Sequence, residues 1–282
     1  MTPASVTGEG AAERTLDRLS EMEARSIYTI REAYCQFRHV ALLWSIGKDS
    51  TTLLWLIRKA FYGEIPFPVV HIDTTFKFPE MYAFRDRYAR EWGLRLLVAR
   101  NEDALRRGVN YDAYDAVTCC HELKTEALRQ SLAREGFRAL YVGIRRDEHG
   151  VRAKERYFSP RDTEFRWNYR DQPAELWDQF KDKPLADTHV RVHPLLHWTE
   201  VDIWRYIKRE GIPVNELYFA QNGKRYRSLG CMPITAPVES NARTVDEIIE
   251  EIINSDVAER SGRAQDKEAD YVMQKLRALG YM

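Results

Sequence analysis

From Thr15 to Phe37 apolar residues recur at helical spacing (Leu16, Leu19, Met22, Ile27, Ile30, Ala33), which predicts an amphipathic helix. The pattern then changes. His39–Trp44 is an apolar run of strand length, Ser45–Asp49 is a polar turn, and Ser50–Tyr62 returns to helical spacing. The alternation continues with a strand at Phe67–Asp73, a helix at Pro79–Trp92 with Pro at its start, and a strand at Leu94–Ala99. A helix at His121–Glu135, ended by Gly136, and a strand at Phe137–Val142 follow. Ile144–Asp187 mixes charges, aromatics and prolines with little periodicity, and reads as a long functional loop. Trp167, Tyr169, Trp177 and Phe180 predict that it packs down. Val190–Pro194 is one more strand. Helices follow at Thr199–Arg209, Thr244–Ile253 and Lys267–Leu279; Thr199 with Asp202, and Thr244 with Glu247, have capping spacing.

Strands alternating with helices imply right-handed crossovers and an α/β fold. These strands are apolar on both faces, as a buried parallel sheet requires. The expectation is about five parallel strands with helices on both faces. Residues 1–14 read as a mobile lead-in and 15–194 as a nucleotide-binding domain. Residues 195–282 read as a helical segment that folds over the strand ends and completes the site.

Composition narrows the classes. The 282 residues carry 43 Lys+Arg and 43 Asp+Glu, so the chain lacks the basic excess of a protein that coats nucleic acid or an anionic membrane. Apolar runs such as Val40–Trp44 are far short of the ~20 residues of a membrane helix. The chain opens on no basic-then-apolar leader, and four Cys make no disulfide framework. The expected setting is a reducing cytoplasm.

The strongest local signal is Ser45-Ile-Gly-Lys-Asp-Ser-Thr51, between a strand and a helix. A helix N-terminus presents free N–H groups and partial positive charge. Gly47 lets the backbone approach an anion; Ser45, Ser50 and Thr51 add hydroxyls, and Lys48 adds a point charge. This is a phosphate cradle but not a Walker loop, because Leu42 stands where that pattern needs Gly and Asp49 where it needs Ser or Thr. Asp73 ends the second strand, where a carboxylate can bond a ribose hydroxyl or cap a loop. Arg145, Arg146, Arg152, Lys154 and Arg156 put a dense cationic cluster on loops at the same sheet edge; Arg forks suit phosphate and sulfate oxygens. Asp49 is the expected protein neighbour of a Mg²⁺ on the phosphates. His71 and His149 fall nearest the expected cleft, while His189, His193 and His197 straddle a strand and read as structural.

The loop resembles the Ser-Gly-Gly-x-Asp-Ser loop of the ATP pyrophosphatase (PP-loop) superfamily, with Ile46 and Lys48 as variants. Further stretches are more specific: His71–Arg87 (HIDTTFKFPEMYAFRDR), Gly143–Glu148 (GIRRDE), Arg152–Arg156 (RAKER), Pro194–Ile207, Leu229–Thr235 (LGCMPIT), Val238–Ile252 and Ser261–Asp266 (SGRAQD). In this order the set resembles the small catalytic subunit of bacterial two-subunit ATP sulfurylase. That resemblance implies adenylyl transfer from ATP to sulfate. Ser45, Gly47, Asp49, Ser50 and Thr51 would hold pyrophosphate, with Lys48 countering its charge. Arg145, Arg146, Arg152, Lys154 and Arg156 would be candidates for sulfate and the α-phosphate. It also implies ATP with Mg²⁺, and a separate GTPase subunit that drives the synthesis.

Two departures stand out. Only Phe219–Ser228 joins the Leu217-Tyr218 region to the Leu229-Gly-Cys motif, where the family carries a long insertion. Cys119-Cys120 resembles the start of the cluster motif of adenylylsulfate reductases. With Cys231 it leaves open an alternative: a PP-loop sulfurtransferase or reductase-like enzyme with an iron–sulfur cluster on three thiolates. The tail after Cys231 has no Cys to serve as the reductase nucleophile, and small buried thiols are the commoner fate of free Cys.

Overall fold

The computed structural model describes residues 9–150, 152–168, 170, 172, 174–175, 189–255 and 259. Helix α1 (Glu9–Phe37) leads into β1 (Val40–Leu43), α2 (Lys48–Ala60), β2 (Val69–Ile72), α3 (Pro79–Glu91) and β3 (Leu96–Ala99). Next come α4 (Glu102–Arg106), α5 (Ala116–Cys120), a π-helical turn His121–Glu126, α6 (Ala127–Glu135) and β4 (Ala139–Val142). The remaining elements are β5 (Phe158–Arg161), β6 (His189–Val192), α7 (Glu200–Glu210), β7 (Lys224–Arg225), β8 (Val238–Glu239) and α8 (Val245–Ile253).

The main sheet has the order β3-β2-β1-β4-β6-β5. β1, β2, β3, β4 and β6 run parallel, and every residue of β1, β2, β4 and β6 is buried; β1, β2 and β4 are accordingly apolar or nearly so, while β6 buries His189 and Arg191. The chain winds outward from β1 through β2 to β3, then returns to β4 on the other side of β1. A crevice therefore opens beyond the C-terminal ends of β1 and β4, the place where ligands bind in doubly wound sheets.

Three expectations change. α1 begins at Glu9, inside the stretch read as lead-in, because Ala11, Ala12, Glu13 and Arg14 are strong helix formers. The helix expected from His121 begins at Ala116 and passes through the π-turn. The long loop after Ile144 contains a sixth strand, β5, paired antiparallel to β6 at the sheet edge. Pro160 hides it from pattern reading, but an edge strand tolerates Pro. The expected helix at Lys267–Leu279 lies outside the described residues.

Both predicted capping boxes form, at Thr199/Asp202 and at Thr244/Glu247. α1 is fixed to the sheet by polar ties as well as apolar packing. Tyr141 Oη donates to the Ile30 carbonyl at 2.7 Å, and Ser26 links Trp198 Nε1 (2.9 Å) to the Pro194 carbonyl (2.8 Å). Trp198 and Trp204 are fully buried.

Candidate functional site

A cleft of about 140 Å³, open at its mouth, lies beyond β1 and β4. Leu43, Trp44 and Val142 form part of its floor; Ser45, Gly47, Lys48, Asp49 and Ser50 form one wall. Tyr218, Ser228, Leu229 and Gly230 reach it from the C-terminal part of the chain.

The loop takes its shape at Ile46, not at Gly47. Ile46 has φ +68°, and Gly47 has φ −77°, which any residue adopts. A β-branched residue in the left-handed region costs on the order of 1–3 kcal/mol, offset here by full burial of the Ile46 side chain. The glycine that geometry demands is Gly143, at the exit of β4. A Cβ there would stand 3.0 Å from both Ser50 Cα and Ser50 N. The first turn of α2 therefore lies directly on the β4 exit, and the loop is held at the switch point by backbone contact.

The start of α2 is wired from distant parts of the chain. The backbone N–H of Lys48 donates to Tyr218 Oη at 2.8 Å, and Ser50 Oγ meets Ser45 Oγ at 3.0 Å and the Gly47 carbonyl at 3.1 Å. Lys48 is buried, and its ammonium pairs with Glu259, with Asp49 at 3.4 Å and with Glu200 at 3.8 Å. Burial pulls its pKa down, but Glu259 and Glu200 outweigh that and hold it above the usual lysine value. Arg145 is fully buried and pairs with Asp49, Glu259 and, at 2.9 Å, Asp147. Arg227 holds Glu200 at 2.8 Å. Lys48, Arg145 and Arg227 thus interlock with Asp49, Asp147, Glu200 and Glu259 into one network behind the loop. Burial raises the pKa of Glu259, but Arg145 and Lys48 reverse this and keep the carboxylate ionised.

The other sequence-predicted residues divide. Arg152 lines the cleft, paired with Glu148, which also lines it. Arg146 is exposed and stacks its guanidinium over the Tyr157 ring at 5.4 Å, outside the cleft lining. Lys154 is exposed and Arg156 half-buried; neither lines the cleft, and the Arg156 carbonyl accepts from His193 Nδ1 at 2.7 Å. Thr51 is buried and accepts from Trp44 Nε1 at 3.1 Å, so its hydroxyl serves the strand–helix packing. Asp73 is buried with both oxygens in use: Oδ1 accepts from Thr75 N (2.8 Å) and Tyr82 Oη (2.7 Å), and Oδ2 from Arg100 Nη2 (2.6 Å). It shapes the loop after β2 and does not line the cleft. His71, behind the same wall, donates from Nδ1 to the Trp44 carbonyl at 2.9 Å; burial, helped by Lys77, lowers its pKa to about 4, so it stays neutral.

Sequence reasoning missed Lys77 and Lys124, which line the cleft, and also Tyr218, Glu200, Arg227 and Glu259. Lys77 forms a β-bridge with Cys231. Lys124, in the π-turn, donates to Cys120 Sγ at 3.6 Å. Cys231 Sγ meets Thr74 Oγ1 at 3.2 Å. Burial raises the Cys231 pKa, but Lys124 and Lys77 outweigh it and bring the thiol down to about 6.

The three-thiolate arrangement is not assembled. Cys120 packs with Cys231 and Ile234, whereas Cys119 packs with Ala104, Val109 and Leu123 and bonds the Asn110 carbonyl at 2.8 Å. Successive residues of a helix face different ways, so adjacent Cys cannot both turn toward Cys231. Among the described residues no group of three His, Cys, Asp or Glu side chains is placed to hold a metal ion. Nor, among them, is any helix long and apolar enough to cross a membrane.

Comparison with known proteins sets this geometry in context. Residues 39–237 match the phosphoadenosine phosphosulfate reductase domain family. The chain is 42% identical over 293 residues to sulfate adenylyltransferase subunit 2 of Myxococcus xanthus, covering 93% of this chain and 96% of that protein. It is 41% identical to the protein of that name from Shigella boydii, covering 96% and 99%. Among solved structures it is similar in fold to Candida glabrata FMN adenylyltransferase in complex with ATP, with TM-score 0.55, 18% identity, and 84% of this chain and 67% of that one covered. It is also similar to Candida auris phosphoadenylyl-sulfate reductase, with TM-score 0.52, 15% identity, and 84% and 100% covered.

Proposed function

We propose that this chain, which belongs to the sulfate adenylyltransferase subunit 2 family, transfers the adenylyl group of ATP to sulfate as the nucleotidyltransferase subunit of a complex. The observation that carries this reading is the Ser45–Ser50 loop at the α2 N-terminus, set at the switch point of a fold whose relatives at about the same length bear that name.

A sulfate oxygen attacks the α-phosphorus; the new P–O bond forms as the bond to the β-phosphate bridging oxygen breaks, and pyrophosphate leaves. Sulfate is fully ionised at neutral pH, so no proton has to be removed and no covalent nucleophile is needed. The protein's task is to position two anions and stabilise the charge on the leaving group. The free N–H groups of α2, the hydroxyls of Ser45 and Ser50, and Lys48 receive the β- and γ-phosphates. Glu259 and Glu200 keep the Lys48 ammonium charged and aimed along the loop. Asp49 and Glu259 line the cleft, and Mg²⁺ carried by the triphosphate needs only one or two protein carboxylates, so the donor set fits that cation. When bound, the ion supplies charge neutralisation on the phosphates.

The product anhydride lies high in energy, which calls for coupling to a second subunit; a GTPase is the partner class that supplies such energy. The working compartment is a reducing cytoplasm. The test is release of pyrophosphate from ATP–Mg²⁺ with sulfate, with and without a candidate GTPase subunit. Sulfate-dependent release supports the reading, and release that ignores sulfate contradicts it.

A further inference from the structure

The carboxylate of Glu259 stands where the Ser45–Ser50 loop would meet an anion. Its two oxygens go to two different cations: Oε1 accepts from Lys48 Nζ and Oε2 from Arg145 Nη2. Glu259 lines the cleft and the fully buried Arg145 does not, so the carboxylate screens Arg145 from the cleft. An oxyanion that bridges an ammonium and a guanidinium at the start of a helix makes the contacts a bound phosphate would make.

The network around Glu259 carries an excess of negative charge. Among the described residues Asp49, Asp147, Glu200 and Glu259 set four negative charges against the three positive ones of Lys48, Arg145 and Arg227. Phosphate oxygens placed beside all four carboxylates would repel them, most strongly where water is excluded. One carboxylate has to give way, and three of the four are fixed. Asp49 lies in the first turn of α2. Asp147 is bound twice, Oδ1 by Arg145 Nε at 2.9 Å and Oδ2 by the backbone N–H of Glu200 at 2.8 Å. Glu200 opens α7 and is held by Arg227 through Nε at 3.2 Å and Nη2 at 2.8 Å. Glu259 lies in a turn beyond α8, and among the described residues its carboxylate bonds only the two cations themselves. Arg145 and Lys48 hold it ionised against its burial, so what is exchanged is one anion for another.

We propose that Glu259 is an exchangeable counter-ion of the Ser45–Ser50 loop, a positioning residue whose carboxylate holds Lys48 and Arg145 until a di- or triphosphate takes them over. This rests on the adenylyl-transfer reading and deepens it by naming what the phosphates displace. After the exchange Lys48 keeps Asp49 and Glu200, which hold it charged and aimed. Arg145 is uncovered and turns from a support behind the loop into a second cation for the leaving pyrophosphate.

The experiment titrates the full chain with inorganic pyrophosphate by calorimetry, once in EDTA and once with Mg²⁺, for the parent, Glu259→Gln and Glu259→Asp. Glu259→Gln removes the competing anion. In EDTA it should bind pyrophosphate about 10- to 100-fold more tightly, the factor by which a contact formed about 90–99% of the time lowers apparent affinity. Glu259→Asp keeps the charge but is one methylene too short to bridge both cations, and should bind at least about threefold more tightly. Glu259→Gln also leaves two buried cations short of a carboxylate, so its melting temperature should lie below the parental one and rise further when pyrophosphate is added. Affinity that is parental or weaker in both variants would overturn the exchange and make Glu259 a fixed support, leaving the adenylyl-transfer reading standing. A gain in Glu259→Gln with none in folded Glu259→Asp would overturn it too, as mere relief of repulsion. Pyrophosphate that binds neither parent nor variants, with or without Mg²⁺, would overturn the reading of the loop and the exchange with it.

Discussion

Gly143→Ala is the smallest change that should disturb the site, because it adds one methyl group where two backbones touch. The new Cβ would lie 3.0 Å from Ser50 Cα and Ser50 N, and 3.1 Å from Asp49 C. Carbon atoms at optimal separation are about 3.5–4.0 Å apart, so the β4 exit and the first turn of α2 must part by roughly half an ångström or more. Neither can yield by rotating a side chain, since all the crowded atoms are backbone. Overpacking of this kind costs about 1–3 kcal/mol. In a chain of this size that lowers the melting temperature by several degrees. The displaced atoms carry Asp49 and Ser50, so the Ser45–Ser50 loop moves with them. A shift of ~1 Å in a positioned group can cost about 10²-fold in rate. Turnover should therefore fall by one to two orders of magnitude, with a raised KM for ATP. Pyrophosphate release and thermal unfolding, measured on the same preparation, check both halves. An alanine variant with parental melting temperature and parental kcat would refute the claim that backbone contact at Gly143 sets the loop.

Arg146→Lys should keep parental kinetics because Arg146 is exposed over Tyr157, whereas Arg152→Met, which leaves Glu148 in the cleft wall without its partner, should lower turnover at least tenfold; steady-state assays of both decide. The double change Cys119→Ser with Cys120→Ser should retain most adenylyl transfer and cost on the order of 1 kcal/mol of stability per site, and the purified parent should show no visible absorption from a cluster; loss of activity together with bound iron would count against the assignment. His71 has a folded pKa of about 4 against 6.5 when unfolded, so the unfolded state takes up its proton first and stability falls as pH drops through this window. The full effect of that single site is on the order of 3 kcal/mol, and melting curves between pH 7 and pH 4 should be shallower for His71→Asn than for the parent.

What could be read from the chain was what is local or periodic. β1, β2 and β4 are buried throughout and announce themselves as apolar runs or nearly so, whereas the equally buried β6 carries His189 and Arg191. β5 could not, because a strand of sequence Phe-Ser-Pro-Arg at an edge needs neither alternation nor a full set of N–H donors. The Ser45–Thr51 loop stood out because its Gly, hydroxyls, Lys and Asp lie within seven consecutive residues. Its supports did not: Tyr218 bonds Lys48 across 170 residues and Glu259 across 211, with no local pattern to mark either. The arginine motifs divide for a geometric reason. Arg145 and Arg146 are neighbours in the chain, but extended backbone at Arg145 sends successive side chains to opposite sides, one buried against Asp49 and one out over Tyr157. Lys77 and Lys124 were passed over because single lysines carry no motif. Only the fold puts them beside one thiol.

The most direct test of the central claim is pyrophosphate release by the chain with its partner subunit, in ATP–Mg²⁺, as sulfate is titrated in, for the parent and for Asp49→Ala. Asp49 lies in the first turn of α2 and pairs with both Lys48 and Arg145. The parent should show saturable, sulfate-dependent release with adenylylsulfate formed in equal amount, and the folded variant a loss of at least about 100-fold. Release that is independent of sulfate, or equal in the two proteins, would contradict it.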